Sequence, residues 1–481
     1  MTTRKTQLRS RSTTWVLVLA SLASFMAALD TLVVTTALTT IRGDLGASIE
    51  QLEWTVNGYN LSFAVLLMTA AGLGDRLGRR RMLSVGLGLF AVASAACALA
   101  PNIGLLIAAR ALQGAGAALI MTLAFALVSA AFAPERRGWA LGIFFAVTGL
   151  AVASGPLVGG AIAEGLAWQW IFWLNVPIGL ALVPLALARV PESFGPDAAL
   201  DIPGLGLVTG GVLGIVWGLV RGNIAGWGSV EVAGSLAAGV LLLVVFVAWQ
   251  LRAREPMLPM QFFRSRAFSA GNATIFFAMG SLFCGVFFLA QFMQTALGSG
   301  PLEAGLRLLP WTATLFFVAP VAGTLVDRFG ERPFLVAGPL LQAIGMAWIA
   351  MIADAGMAYS EMIAPLIIAG AGISMTFPAA QNSVVGSVPA DAIGKAAGMN
   401  STVRELGGVF GIALSVAVFA GAGSYASPQA FSDGFVAAIG VSAGLSLLGA
   451  IAGLGLPRRP RATGSPRLPQ PVPALQANGT R

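Results

Sequence analysis

Four ionisable side chains interrupt long apolar stretches of this 481-residue chain: Asp30, Arg110, Arg404 and Glu405. A carboxylate can take up and release a proton, and a neighbouring guanidinium stabilises its charged form. The chain contains no histidine, which is the side chain that usually titrates near neutral pH. Proton-dependent chemistry in this chain would therefore depend on carboxylates, with Asp30 and Glu405 as the candidates.

The composition indicates what kind of structure must position these side chains. Hydrophobic residues make up 57% of the chain and charged residues 10%, which is too few charges to cover a soluble domain. The apolar stretches are too long and too uniform for the strands of a membrane barrel, so they predict membrane-spanning helices of about 20 residues. We predict fourteen spans, at about residues 14–36, 51–72, 82–100, 103–130, 138–162, 168–188, 203–221, 231–251, 267–293, 304–325, 334–353, 362–385, 396–420 and 433–455.

Basic residues are distributed unevenly between the two sides of these spans. With the N-terminus in the cytoplasm, only Arg42, Arg221 and Arg307 of the loop arginines and lysines fall outside. This is the positive-inside pattern of a multi-pass protein, and it predicts cytoplasmic N- and C-termini in the cell inner (cytoplasmic) membrane. Topology thus explains the net charge of +8, and nucleic acid is not predicted as a partner.

Two loops share an Asp-Arg-x-Gly core. "AGLGDRLGRRR" (Ala71–Arg81) joins spans 2 and 3, and "AGTLVDRFGERP" (Ala322–Pro333) joins spans 10 and 11. Internal repeats are common in transporters, and the offset of eight spans predicts that spans 9–14 repeat spans 1–6, with spans 7 and 8 inserted between them. The predicted division is a cytoplasmic N-terminus at 1–13, a six-helix half at 14–190, the inserted helices at 191–255, a second half at 256–455 and a disordered cytoplasmic tail at 456–481.

The repeated loops have two interpretations. Their arginines could serve only as topology anchors at the anionic leaflet. Their glycines also allow close backbone approach, and their aspartates can cap a helix or pair with arginine, which predicts a latch that holds neighbouring helices in one state and releases them in another. The predicted latch residues are Gly72, Asp75, Arg76, Gly78, Arg79, Asp327 and Arg328.

Further motifs lie in register with the predicted spans. They are "LDTLVVTTAL" from Leu29 in span 1, "RALQGAGAALIM" from Arg110 in span 4, "GLAVASGPLVGG" around Gly155 and Pro156 in span 5, and "WQWIFWLNVPIG" from Trp168 in span 6. Together with the loop "GLGDRLGRRR", they resemble the fourteen-helix drug:proton antiporters of the major facilitator superfamily over the chain up to about residue 455. The chain departs from that pattern at Thr35–Ala37, where relatives often carry Asn-Val-Ala, and at Glu405, where many have an uncharged residue.

The resemblance implies an all-α membrane fold of two six-helix halves plus two inserted helices. It also implies efflux of a small amphipathic drug or antibiotic in exchange for protons, by alternating access of a central site. In that family the Gly155–Pro156 motif accompanies antiport. A proline also bends a helix and neighbouring glycines allow close packing, so this pair is either a gating bend or an ordinary packing feature.

The depths of the intramembrane charges predict how they pair. Asp30 should lie about 9 Å from the outer end of span 1 and Arg110 about 10 Å from that of span 4, so the two can pair. The pair is either a proton-coupling site, as intramembrane charges usually are, or a static ion pair. Arg404 and Glu405 should point about 100° apart and face different partners, with Glu405 either a second proton site or a local counter-charge for Arg404.

A site for an amphipathic substrate needs aromatic groups and a few polar groups. The better candidates are Asn57, Gln113 and Asn400, because amides within spans usually face the interior, although they can also join helices. Glu53, at the outer end of span 2, is expected among headgroups or at an external gate. Other candidate side chains are Trp54, Tyr59, Gln291, Gln294, Trp311, Phe377, Gln381 and Asn382.

Other functions remain as alternatives. A proton-coupled or facilitative carrier of a metabolite, such as a sugar or siderophore, would share the architecture, although Gly155 and Pro156 argue against it. A receptor or assembly protein would predict no effect of Asp30→Asn on flux. No metal, cofactor or nucleophile motif is recognisable, so an enzyme is not predicted, and the protein is expected to function as a monomer in membrane lipid.

Overall fold

The computed structural model describes residues 2–132, 134–195, 201–254, 256–388 and 393–457. These residues form helices, and fourteen of the helices found there are long and apolar enough to cross a membrane. We number them α1 (Thr13–Leu45), α2 (Ile49–Leu77), α3 (Arg79–Ala98), α4 (Ile103–Ala131), α5 (Trp139–Gly165), α6 (Trp170–Arg189), α7 (Ile202–Ala225), α8 (Val230–Gln250), α9 (Arg266–Thr295), α10 (Pro301–Val326), α11 (Arg332–Ile352), α12 (Ser360–Val385), α13 (Lys395–Ala422) and α14 (Pro428–Leu454).

The predicted end of span 1 was wrong by nine residues. The chain does not stop at residue 36 but forms a 3₁₀ turn at Val34–Ala37 and then a further helix at Leu38–Leu45. The Thr35 hydroxyl donates to the Leu32 carbonyl at 2.6 Å, a bond to the preceding turn that often bends a helix. The polar residues after position 38 therefore belong to a bent continuation of α1, which ends at Leu45 and is followed by Gly46 with a φ of 60°.

Several helices start at a short polar residue. Ser48 accepts from the backbone N–H of Gln51, whose side chain accepts from the Ser48 N–H at 2.9 Å, so α2 begins with a capping box. Asn102 caps α4 by accepting from the Leu105 N–H at 3.0 Å. These bonds satisfy N–H groups that have no partner within the helix, and they define where each span begins.

The two halves repeat the same packing. In the first half α1 packs on α5, α2 on α4, and α3 on both α4 and α6. In the second half α9 packs on α13, α10 on α12, and α11 on both α12 and α14. The same neighbours at an offset of eight helices confirm the fold predicted from the repeated loops, with two six-helix halves.

The inserted helices form a hairpin beside the bundle. α7 and α8 pack mainly on each other, and α7 also contacts α2 and α13. The Asn223 side chain of α7 donates to the Ala417 carbonyl of α13, and Val216 and Val220 share a buried cluster with Val409 and Ala413. The hairpin therefore lies against the line where the two halves meet.

The repeated loops turn in the same way. α2 ends at Leu77 and α10 continues to Phe329, and each is followed by a glycine with positive φ, Gly78 at 103° and Gly330 at 82°. A residue with a side chain rarely adopts such angles. We call the end of the bundle that carries these two turns the basic face, and the end where α1 meets α2 the opposite face.

Candidate functional site

The candidate site centres on Asp30 of α1 and Arg110 of α4. Asp30 is 1% exposed and Arg110 is fully buried, and Arg110 Nη1 donates to Asp30 Oδ2. Because α1 continues to Leu45, Asp30 lies about 22 Å from its end at 1.5 Å per residue, much farther than predicted. The pair nevertheless forms, since the extra turns of α1 extend beyond the level at which α4 begins.

Three further side chains complete the surroundings of the Asp30 carboxylate. Gln113 Nε2 and Asn175 Nδ2 donate to Asp30 Oδ1 at 2.9 and 2.8 Å. Gln113 also donates to Ser94 at 2.8 Å and accepts from Arg110 Nη1 at 2.7 Å. Side chains from α4 and α6 thus donate to both oxygens of the α1 carboxylate, and Ser94 of α3 joins the network through Gln113.

Arg110 extends this network to α2. Its Nε donates to the Thr55 carbonyl at 3.1 Å, and its guanidinium lies 4.3 Å from the centroid of the Tyr59 ring, a cation–π distance. Among the described residues Arg110 Nη2 has no hydrogen-bond partner. Arg110 of α4 therefore bonds both the acid on α1 and the backbone of α2.

Arg404 and Glu405 of α13 pair with each other. Arg404 Nε and Nη2 donate to Glu405 Oε1 at 3.1 and 2.9 Å, and the Glu405 side chain is 6% exposed against 27% for that of Arg404. The expectation that the two face different partners was wrong, because the long arginine side chain folds back over its neighbour. The arrangement matches the local counter-charge interpretation, and a proton role for Glu405 stays a prediction.

The predicted substrate amides are engaged with other protein groups. Gln113 belongs to the Asp30 network, Asn57 donates to Glu53 Oε1 at 3.0 Å, and Asn400 donates to Asn272 at 3.2 Å. Tyr59 lies beneath Arg110 and donates to the Ala27 carbonyl at 3.1 Å. These contacts place Gln113 and Tyr59 at the charged centre and leave Asn57 and Asn400 in separate pairs.

The predicted substrate aromatics lie apart from one another. Trp54 lies 6.3 Å from the ring of Trp217 on α7, so it faces the inserted hairpin. Trp311 of α10 is buried against Gly285 of α9, and Phe377 of α12 is half-buried at the edge of the main core. The structure therefore does not gather these three rings around the Asp30–Arg110 pair.

Polar side chains join the two halves at the opposite face. Thr39 of α1 donates to the Gln294 side chain of α9, and Gln294 donates to the Thr36 carbonyl at 2.9 Å. Tyr425, in the loop after α13, donates to Gln291, and burial raises the pKa of its phenol. Of the two predicted substrate glutamines, Gln294 thus forms part of a joint between the halves, whereas Gln291 is bonded within the second half.

The Gly155–Pro156 motif of α5 lies at the same joint. A Cβ on Gly155 would meet the side chain of Leu32 of α1 at 3.0 Å. Gly305 of α10 lies so close to the Pro156 carbonyl that a Cβ there would overlap it. The motif therefore packs on α1 within its own half and on α10 of the other half, where a bend would alter the contact between halves.

The first repeated loop is docked onto the segment that follows α6. Asp75 accepts from Arg79 Nε at 2.8 Å, the Arg79 N–H donates to the Ser193 carbonyl at 2.9 Å, and the Gly195 N–H donates to the Asp75 carbonyl at 3.1 Å. In addition, Glu192 Oε1 accepts from the backbone N–H of Arg80, the residue after Arg79, at 2.8 Å. These bonds hold the loop against the segment that follows α6, and its release in another state stays a prediction.

The other predicted latch residues occupy varied positions. Gly78 makes the turn, whereas Gly72 lies inside α2 and Arg76 is exposed on its last turn. Arg328 is exposed, with its guanidinium 5.3 Å from the Phe329 ring. The Asp327 side chain lies outside the described part of the structure.

Sequence reasoning missed two residues of functional interest. Asn175 appears in the quoted span 6 motif, but its bond to Asp30 was not predicted, although the rule that amides within spans face the interior would have found it. Glu53 was expected among headgroups or at an external gate, yet it is 0% exposed. Its position near the end of a span concealed this burial, because only the packing of the halves shows that the end is covered.

Fold and site together define a multi-pass membrane transporter with two repeated six-helix halves and a buried charge network in the first half. The Major Facilitator Superfamily model matches residues 20–411 and 271–478, and the chain belongs to this family. Because the family consists of transporters, the prediction that the chain is not an enzyme is confirmed.

Relatives and solved structures agree with this assignment. The chain is 37% identical to the cephamycin export protein of Amycolatopsis lactamdurans, over 90% of this chain and 91% of that protein. It is 35% identical to the tetracenomycin C resistance and export protein of Streptomyces glaucescens, over 84% and 76% of the two chains. A crystal structure of the peptide transporter POT in complex with sulfate has the same fold, with a TM-score of 0.67 at 16% identity over 91% of this chain and 93% of that one.

Proposed function

We propose that this protein exports small amphipathic drugs or antibiotics in exchange for protons, by alternating access of the two halves. Relatives that match most of the chain are named for cephamycin export and for tetracenomycin C resistance and export. A third, at 32% identity over 91% of this chain and 90% of its own length, is the puromycin resistance protein of Streptomyces alboniger. These compounds differ in chemistry, which favours an amphipathic drug class over a single metabolite.

The observation that carries proton coupling is the fully buried Asp30–Arg110 pair. A charged pair in a low-dielectric interior is expensive to desolvate, and intramembrane ionisable residues usually serve function. A proton on Asp30 would cancel its charge and leave Arg110 bonded to Gln113 and to the Thr55 carbonyl. The tie between α1 and α4 would weaken while the tie between α4 and α2 remained, so protonation would favour a different packing within the first half.

The orientation follows from the basic residues. We infer that the basic face is cytoplasmic and that both termini lie on that side of the cytoplasmic membrane, since basic loops stay inside. The Thr39–Gln294 joint then closes the outer side between the halves. The Asp75 loop would act as a cytoplasmic latch and the Gly155–Pro156 bend as a hinge, in a protein that works as a monomer surrounded by lipid.

The test is ethidium efflux from proteoliposomes with an imposed proton gradient, with vesicle pH recorded in the same sample. Asp30→Asn keeps the size of the side chain and one acceptor oxygen but cannot ionise. We expect it to abolish gradient-driven efflux and the accompanying proton flux, while the exposed acid control Asp433→Asn transports like wild type.

Other results would contradict the proposal in different ways. Unimpaired proton-coupled efflux by Asp30→Asn would remove Asp30 from coupling and direct attention to Glu405. Gradient-driven uptake of a sugar or siderophore by a wild-type protein that exports no dye would instead support the metabolite carrier.

A further inference from the structure

Three polar side chains form a row on one face of α2. Glu53, Asn57 and Asn60 occupy positions i, i+4 and i+7, which lie on the same side of a helix. Each is at most 1% exposed, although Glu53 is only four residues from the start of α2. We call these three residues the α2 row.

The α2 row has hydrogen-bonding capacity that the protein leaves unused. Asn57 donates to Glu53 Oε1 at 3.0 Å, but Glu53 Oε2, Asn57 Oδ1 and both side-chain atoms of Asn60 have no partner among the described residues. Unpaired buried polar atoms are rare and costly. Three of these four atoms are acceptor oxygens, so the row matches a ligand that supplies several N–H donors.

A cavity of about 380 Å³ lies beside the first turn of α2 at the opposite face. Its lining includes Ile49 and Glu50 of α2, Phe419 of α13 and Tyr425. Ile49 and Glu50 lie one turn outward from Glu53 and therefore share its side of the helix. The row thus begins one helical turn inward from a cavity that α2 of one half and α13 of the other line together.

The charges around the row favour a positive ligand. Glu50 adds a second carboxylate at the cavity. Arg42 also lines the cavity, but its guanidinium lies 4.0 Å from the centroid of the Tyr425 ring, which satisfies it by a cation–π contact. Among the described residues no basic side chain pairs with Glu53, and an isolated buried carboxylate is unfavourable without a compensating charge or proton.

We propose that the α2 row binds the cationic group of an organic cation that carries N–H donors, with Glu53 supplying the negative charge. The free oxygens of Asn57 and Asn60 accept the N–H groups, since hydrogen bonds to charged partners are the strong ones. This inference rests on the proposed export function and deepens it, because it names the substrate class and the residue that selects it. The helix that carries the row packs on α13 of the other half, so movement of the halves would change the surroundings of the bound cation.

The test compares ethidium with hydroethidine, its uncharged reduced form of nearly the same shape, in efflux assays kept free of oxygen. Glu53→Gln keeps the side-chain volume and can still accept from Asn57. We expect it to lower the apparent affinity for ethidium by about tenfold or more, the worth of a charged hydrogen bond, and to leave hydroethidine export within about twofold. Glu53→Asp should retain most of the ethidium affinity, and the exposed control Glu361→Gln should match wild type.

Two outcomes would overturn the role of Glu53: equal loss of both dyes in Glu53→Gln with normal thermal stability, or no change for either dye. Wild-type protein that moves neither dye would instead overturn the proposed export itself, and with it this site. If Glu53→Gln lowers the thermal stability of the protein, its ethidium affinity is compared with that of Glu53→Asp. Ethidium affinity that is retained in Glu53→Asp and lost in Glu53→Gln still assigns the effect to the charge of the side chain.

Discussion

At the scale of the residue, the protein concentrates its buried charge on few side chains that have many partners. Asp30 has donors on both oxygens, and Arg110 contacts a carboxylate, an amide, a backbone carbonyl and an aromatic ring. Such saturation allows charges to be kept in a membrane interior, where an uncompensated charge is costly. It also means that removing either Asp30 or Arg110 alone should lower the stability of the protein more than removing both charges together.

We therefore predict that Arg110→Ala destabilises the protein by about 3–5 kcal/mol, because it leaves the Asp30 carboxylate buried without its cation. Adding Asp30→Asn to that variant should recover part of the loss. Thermal unfolding in one detergent, measured for both single variants and for the double variant, checks the prediction. An Arg110→Ala protein with wild-type stability would show that the pair is not buried as the structure has it.

At the scale of the element, the contact between α5 and α10 depends on small residues. Gly305 of α10 lies directly against the Pro156 carbonyl, whereas Gly323 farther along α10 has open space around its Cβ position. A backbone carbonyl cannot move aside as a flexible side chain can, so added volume at Gly305 must separate the two helices. The helices belong to different halves, and their separation would open the opposite face.

Gly305→Ala is accordingly expected to disfavour this conformation by about 1–3 kcal/mol, the usual cost of overpacking, while Gly323→Ala leaves it unchanged. The measurement is labelling of Thr39→Cys by an impermeant maleimide added outside, in protein whose buried Cys97 and Cys284 are replaced by alanine. Labelling should be faster in Gly305→Ala and unaltered in Gly323→Ala. Equal labelling in both would contradict the steric argument.

At the scale of the whole molecule, the same arrangement of neighbours occurs twice, and an inserted hairpin lies across the line between the copies. α7 contacts both α2 and α13, the two helices that line the cavity above Glu53. When one half moves against the other, α7 must therefore either move with it or slide along it. The inserted hairpin therefore contacts the helix that carries the α2 row.

The topology of the whole molecule gives a direct prediction. With the basic face in the cytoplasm, a cysteine in place of Ala253, between α8 and α9, should react with an impermeant maleimide only in inverted vesicles. A cysteine in place of Ala358, between α11 and α12, should react in intact cells. Labelling of both from the same side would mean that a helix is missing or added between them, and the fourteen-span topology would be wrong.

The amino-acid sequence was sufficient to predict the class of structure, the number and order of the spans, the internal repeat and the location of Asp30 and Arg110 inside spans. These properties follow from hydrophobic length, charge distribution and repeated motifs, all of which are local along the chain. Four features became visible only in the folded protein. They are the bent continuation of α1, the bond from Asn175 to Asp30, the pairing of Arg404 with Glu405 and the burial of Glu53. Each depends on which helix lies opposite a given residue, and residues far apart in sequence make that contact, so no local pattern could specify it.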